Sequence, residues 1–223
     1  MKTQLKFLAL AAALATTTGA GAQTAGTWMV RAGLMTLAPQ VNSGFLSKPD
    51  FYEGSKVDVR AATQVGGGIS YMYTDNISVD VPFALPFKHK IVGAGAIKGE
   101  GDIGEVQALP ATVFLQYRFL ESTSAVRPYV GLGATYAYFF NPQGSGRLTA
   151  TLNPGGPPSS FTVDSKFIVT PQIGATFAVN DKWFVDVFYS KSKLNTRTTF
   201  ADGHTIDADL DPISYGIAVG TKF

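Results

Sequence analysis

The chain has 223 residues, no cysteine and a formal net charge of +2. These facts exclude thiol chemistry, cysteine-ligated metal and a disulfide framework, and without a long basic run they give no footprint for nucleic acid. Mean hydropathy is positive, with 16 Phe, 9 Tyr and 24 Gly, yet past residue 22 no run of ~18 apolar residues exists to make a membrane-spanning helix.

Residues 1–22 have the layout of an export signal. Lys2 and Lys6 form a basic start, Phe7 to Ala15 a short apolar core, and Ala20-Gly21-Ala22 a small-residue cleavage site. Cleavage before Gln23 leaves 23–223 as one domain. From there the dominant hydrophobic period is two, the spacing of a strand with two different faces. Eight segments carry it. The first, Trp28 to Thr36, sets Trp28, Val30, Ala32 and Leu34 against Met29, Arg31, Gly33 and Met35. The second runs from about Thr63 to Tyr73, and the third follows Thr74-Asp75-Asn76 with Ile77, Val79, Val81, Phe83 and Leu85 on one face. The fourth spans about Val106 to Phe119, the fifth Arg127 to Phe139, and the sixth about Phe167 to Val179. The seventh opens at Trp183 after Asn180-Asp181-Lys182. The eighth is the closing stretch from Ile213 to Phe223, with large residues alternating against Ser214, Gly216, Ala218, Gly220 and Lys222.

The connections alternate between short (Asp75-Asn76, Glu121 to Val126, Asn180 to Lys182) and long (Pro39 to Ala62, Pro86 to Glu105, Asn141 to Lys166, Leu194 to Asp209). Large residues on one face, small and polar ones on the other, and turns of alternating length predict an eight-stranded, antiparallel, up-and-down outer-membrane β-barrel. A soluble lipocalin-like barrel is the alternative, but it places its large residues inside. Here the opposite face is too small and too charged for that. Asn153 to Ser160 reads as a flexible loop tip.

Five charges fall on the inward faces: Arg31, Asp80, Arg118, Asp186 and Lys222. All lie near the short-turn, periplasmic ends of their strands. In so narrow a lumen they should pair, because an unpaired buried charge is costly, and so form a polar plug. The outer half of the lumen is assigned Met35, Pro82, Ala84, Pro110 and Phe188, with Phe139 or Phe140 depending on register. An apolar cup over a charged floor suits a small hydrophobic ligand; the alternative is that these side chains simply fill a small barrel. In the second long loop, Phe87, Ile91, Val92 and Ile97 are apolar where water is expected, and are read as a gate over the mouth or, alternatively, as packing on neighbouring loops. Pro82 and Pro110 fall on adjacent strands and weaken pairing there, which points to a sideways exit or to harmless rim prolines.

His89 and His204 are the two histidines. Both fall in long loops, and neither makes a recognisable nucleophile–base pair with its neighbours, so no catalytic residue is assigned. The acidic residues Asp202, Asp207, Asp209 and Asp211 lack diagnostic metal-ligand spacing. No cofactor and no metal are expected.

Several segments together resemble the OmpW family of small outer-membrane proteins, AlkL-like alkane-uptake barrels among them. They are Trp28-Met29-Val30-Arg31-Ala32-Gly33, Pro82-Phe83 through His89-Lys90-Ile91, Leu109-Pro110 through Gln116-Tyr117-Arg118-Phe119, Arg127-Pro128-Tyr129-Val130-Gly131-Leu132-Gly133, and Tyr215 to Phe223. The resemblance covers essentially all of 23–223. It implies an eight-stranded barrel with an apolar interior closed toward the periplasm, passage of small hydrophobic molecules, and lateral release into the membrane, with no catalytic residues. The partners it implies are outer-membrane lipid and a hydrophobic ligand, bound by a monomer. The chain departs from the family pattern at Ser165-Lys166-Phe167 and in the Gly-Pro run of its third long loop. The rival functions are an ion-conducting pore and a structural or adhesive barrel.

Overall fold

A computed structural model describes residues 22–47, 53–146, 148–149, 155–156 and 159–223. The expected signal segment, apart from Ala22, lies outside the described residues, as does much of the Asn153–Ser160 loop tip.

Among the described residues, eight strands close a barrel: β1 (Trp28–Ala38), β4 (Ala62–Met72), β5 (Ile77–Ala84), β7 (Asp102–Arg118), β8 (Val126–Gly144), β10 (Lys166–Ala178), β11 (Trp183–Lys191) and β14 (Ile213–Lys222). Each pairs antiparallel with its neighbours in the ring β7-β5-β4-β1-β14-β11-β10-β8, and the β7–β8 ladder completes it. The chain ends meet in this wall. Met29 stands opposite Lys222, and Trp28 and Phe223 exchange backbone hydrogen bonds of 2.9 and 3.0 Å. Closure of the ring pairs both edges of the sheet along most of its length, as a strand wall in lipid requires.

The predicted alternation holds along the wall. Leu34, Val65, Val113, Leu132, Val169, Ile173, Ile217 and Val219 are exposed on the outer surface, where lipid rather than water is the solvent. Trp28 packs on Tyr71, and Tyr117 on Phe119, with ring centroids 4.8 and 5.1 Å apart at the periplasmic rim. Near the other rim, Tyr136 packs against Phe167 at 4.6 Å and Tyr138 stacks on Phe140 at 5.3 Å. Paired aromatic girdles of this kind suit the two membrane–water interfaces.

The long connections are not plain loops. Pro86 to Glu105 contains β6 (Phe87–Gly95), which pairs with the extracellular end of β7 and, on its other side, with β3 (Ser55–Val59). β2 (Asn42–Ser43), β9 (Phe161–Val163), β12 (Asn195–Phe200) and β13 (Thr205–Asp209) form a second, four-stranded sheet. Strands β7 and β8 run well past the segments expected from alternation alone. In the extension of β7, Ile103 and Gly104 are buried beneath these added strands rather than facing lipid, so the signal of large residues outside and small ones inside fades there. Phe161, Phe200 and Ile206 pack with Ile103, Val106 and Leu148 into an apolar cluster above the membrane-level barrel.

Candidate functional site

The lumen has a floor and a cup. The floor is built on Arg31, which projects inward from β1. Its Nη1 and Nη2 donate to the two oxygens of Asp80 at 2.7 and 2.9 Å, a two-pronged pairing of planar groups. Nη1 also donates to Ser70 at 3.0 Å, and Nε lies 3.4 Å from Asp186. Ser70 donates in turn to Asp80. Arg31, Asp80 and Asp186 are 5%, 0% and 2% exposed. Gly68 makes this possible, since a β-carbon there would sit 2.7 Å from Nη2 of Arg31.

Arg118 is held separately. It donates to Thr176 at 2.8 Å, Ser78 at 3.1 Å and Gln116 at 3.0 Å, and its guanidinium lies 4.8 Å from the centre of the Tyr129 ring. Thr176 and Tyr129 both donate to Asp186, at 3.3 and 3.2 Å, so hydroxyls tie the two arginines into one network. Gly174 leaves space for Tyr129, whose hydroxyl would be 2.5 Å from an added β-carbon. Four of the five inward charges are therefore brought together. Lys222 is buried but belongs to the rim, where its electrostatic neighbours are Asp181 and Arg127.

Two components of this end were not anticipated. Met29, Met72 and Phe184 form a buried apolar layer beside the charges. Arg127, fully buried, donates to the backbone oxygens of Gln23 at 3.1 Å and Asp75 at 2.6 Å. It thereby ties the segment before β1 across the base of the barrel, where Gln23 N–H also donates to Ser122 O at 2.9 Å. At the first turn of a strand an arginine reads as solvated. Only the return of the N-terminal segment under the barrel buries it.

Above the floor lies a cavity of about 360 Å³, within the range of small-molecule sites. Met35, Pro82, Ala84, Pro110, Phe139 and Phe188 all line it, and Arg31 forms its base. Phe139 rather than Phe140 points inward; Phe140 stacks on Tyr138 on the outer side. Of the four residues expected as a gate, Phe87 and Ile91 line the cavity and Val92 and Ile97 do not. The reason is local: residues 87–95 form a strand, so Ile91 and its neighbour Val92 differ in direction, and Ile97 folds back on Gly93 in the following turn. The upper wall comes instead from the second sheet, through Phe161, Phe200 and Ile206, with Leu210 just past it.

The outer half is not free of ionisable groups. His89 is buried and lines the cavity, with Nδ1 2.8 Å from the carbonyl oxygen of Arg60. Burial pushes its pKa below the ordinary 6.5, and the bond to the Arg60 carbonyl opposes the shift. Alternation could have flagged His89, which shares a strand face with Phe87 and Ile91. A belt of hydroxyls, from Thr112, Thr135, Thr170 and Ser192, also lines the cavity.

The wall itself is interrupted. The β5–β7 ladder runs only from Ile77 opposite Tyr117 to Asp80 opposite Phe114. β7 then regains a partner on that side where Phe87 of β6 meets Ala108. Between them, among the described residues, Val81–Ala84 of β5 are paired only with β4, and Leu109–Val113 of β7 only with β8. Pro82 and Pro110 flank this seam, each removing an N–H donor. The cavity lining includes lumen-facing Pro82 and Thr112 together with outward Phe83, which is 52% exposed, and Ala111 and Tyr138. The cavity therefore reaches the outer surface at the seam.

Among the described residues the remaining polar groups are paired with one another. His204 Nδ1 is 3.0 Å from Asp202, but the Thr205 hydroxyl turns away and donates to Ser47 O at 3.1 Å. Asp207 pairs with Arg197 at 2.7 Å, Asp209 accepts from Asn195 at 2.9 Å, and Asp211 pairs with Lys193. Among the described residues no three His, Asp or Glu side chains converge as a metal site.

Known proteins give the same architecture. The sequence matches the OmpW family over residues 24–223. Outer membrane protein W of Vibrio cholerae is 36% identical over 202 residues, 89% of each chain. The dibenzothiophene metabolism operon protein PahQ of Pseudomonas aeruginosa is 25% identical over 199 residues, 88% of each chain. The crystal structure of the outer membrane protein OprG from Pseudomonas aeruginosa superposes with a TM-score of 0.81 at 26% identity, covering 92% of this chain and 98% of that one. With its closed eight-stranded wall, apolar outer surface and match along almost its whole length, this outer-membrane β-barrel belongs to the OmpW family.

Proposed function

We propose that the barrel passively passes small hydrophobic molecules from the extracellular side into the outer membrane, acting as a monomer and without catalysis. A molecule enters the apolar cup past Phe87 and Ile91. It is stopped by the plug of Arg31, Asp80, Asp186 and Arg118, and leaves sideways between β5 and β7.

The carrying observation is the continuity of the cavity: it ends on a neutralised ion cluster below and opens at the one stretch of β5 and β7 where the two strands share no ladder. A wall closed by hydrogen bonds would expose unsatisfied backbone groups if parted in lipid. At this seam little has to be broken. The kinship with a protein named for dibenzothiophene metabolism supports a compact apolar cargo. An export signal at 1–22, cleaved before Gln23, would deliver the barrel to this membrane.

Replacing Pro82 and Pro110 together by alanine restores two backbone donors at the seam. Whole-cell uptake of an apolar substrate is expected to fall several-fold. Unchanged uptake, with the variant folded, would rule out this exit. In planar bilayers the plug predicts negligible conductance, whereas an ion pore predicts a large, stable one.

A further inference from the structure

The inner wall of the cup is apolar on one side and hydroxylated on the other. Thr112 of β7 and Thr135 of β8 are 2.9 Å apart, Thr135 and Thr170 of β10 2.8 Å, and Thr170 and Ser192 2.9 Å, each distance between hydroxyl oxygens. All four residues are less than a tenth exposed and all line the cavity. They form a continuous hydrogen-bonded chain across three strands, beginning at Thr112 on the lip of the seam. The facing wall, from β1 and β5, presents Met35, Leu37, Pro82 and Ala84.

A hydroxyl has one proton to give and two lone pairs to receive. In a chain of four, each oxygen keeps acceptor capacity after its neighbour has donated to it; run toward Thr112, the last proton goes to the Pro110 carbonyl at 3.4 Å, and run the other way the free proton lies at Ser192. The belt therefore offers several acceptors, and a donor at one end, to anything lying against it. It offers no free charge. The cation nearest the cavity, Arg31, is already taken up by both oxygens of Asp80, by Ser70 and by Asp186. A carboxylate entering the cup would meet a cation already paired with two fixed anions behind it.

We infer that the cup is selective for neutral amphiphiles: molecules with an apolar body and one uncharged hydrogen-bond donor, such as a hydroxyl, which seats on the belt of Thr112, Thr135, Thr170 and Ser192. The inference rests on the cup being the ligand site and adds the class of ligand it favours. The belt also places the polar end of such a molecule beside the seam, so that its apolar body faces Pro82 and Ala84.

The test uses the folded barrel in lipid nanodiscs. Octane, 1-octanol and octanoate at pH 8 compete for a neutral apolar dye, N-phenyl-1-naphthylamine, with empty nanodiscs as the partition control. One net hydrogen bond corresponds to about a three- to tenfold preference. Wild type is expected to bind octanol more tightly than octane by that factor, and octanoate more weakly than octanol. The isosteric double variant Thr135→Val/Thr170→Val should lose the octanol preference while its affinity for octane holds or rises. Ser192→Ala, at the end of the chain, gives a smaller loss and serves if the double variant fails to fold. Equal binding of octane and octanol by wild type, or a preference that survives the valines, overturns the inference and leaves the apolar site standing. If no probe binds, the proposed function falls with it.

Discussion

The two halves of the lumen share the same strands and face opposite demands. In the periplasmic half the inward charges are met by polar partners: Arg31 by Asp80 and Asp186, Arg118 by the hydroxyls of Thr176 and Ser78 and by Gln116. In the extracellular half the side chains are mostly apolar, and they stop short of one another, leaving about 360 Å³. A buried charge cannot tolerate a missing partner, so polar side chains draw a lumen shut. Apolar side chains lose only dispersion contacts across a gap, so a cavity can persist. The lumen is filled by side chains where it is polar and holds a cavity where it is apolar.

The sharpest way to break this contrast is at the floor. Asp80→Asn removes the carboxylate that grips Arg31 with both oxygens and leaves a buried cation with Asp186 alone. A loss of about 3–5 kcal/mol is expected, read from urea unfolding in lipid vesicles. A loss below about 1 kcal/mol would mean that the ions do not hold the floor. Gly68→Ala tests the same layer by crowding. Its methyl would press on the Arg31 guanidinium, at a cost of about 1–3 kcal/mol, and is expected to raise bilayer conductance as the network is displaced.

The cup should respond differently. Ala84→Phe adds a ring into existing space, so unfolding should change by no more than about 1 kcal/mol, while uptake of an apolar substrate falls by about tenfold. A floor-like loss of stability would show that the space is not available in the folded barrel. The smallest effect concerns His89. Its folded pKa lies below the ordinary 6.5 because it is buried. Above 6.5 it is neutral both folded and unfolded, and costs nothing. As pH falls below 6.5 the unfolded chain takes up the proton first, so stability declines until the folded pKa is passed and then levels off. His89→Phe, which keeps a ring beside Phe87, should flatten that decline in the unfolding free energy between pH 7 and 5.

Much of the barrel was legible in the sequence because lipid on one side and a narrow lumen on the other impose a strict period of two. Arg31, Asp80 and Asp186 each stand at an inward position three residues after the start of a strand, so their common depth could be read from the chain. Arg127 and Lys222 were harder, since rim residues can turn to water or inward with equal ease. Val92 and Ile97 misled because apolar composition alone does not tell a strand from a loop; once 87–95 is a strand, its alternation turns Val92 away from the cavity. The hydroxyl belt gave no signal at all. Thr and Ser at inward positions are ordinary in any barrel, and their linkage depends on how β7, β8, β10 and the end of β11 are offset.

By itself the sequence determined the number of barrel strands and which face of each meets lipid. These follow from properties repeated every second residue along one strand. Only the tertiary structure decided that Arg31 meets Asp80, 49 residues away, that Thr135 meets Thr170, and that β5 and β7 part company between Asp80 and Phe87. Those partnerships are set by the stagger of strands around a closed ring. Stagger belongs to the ring as a whole, and no single strand encodes it.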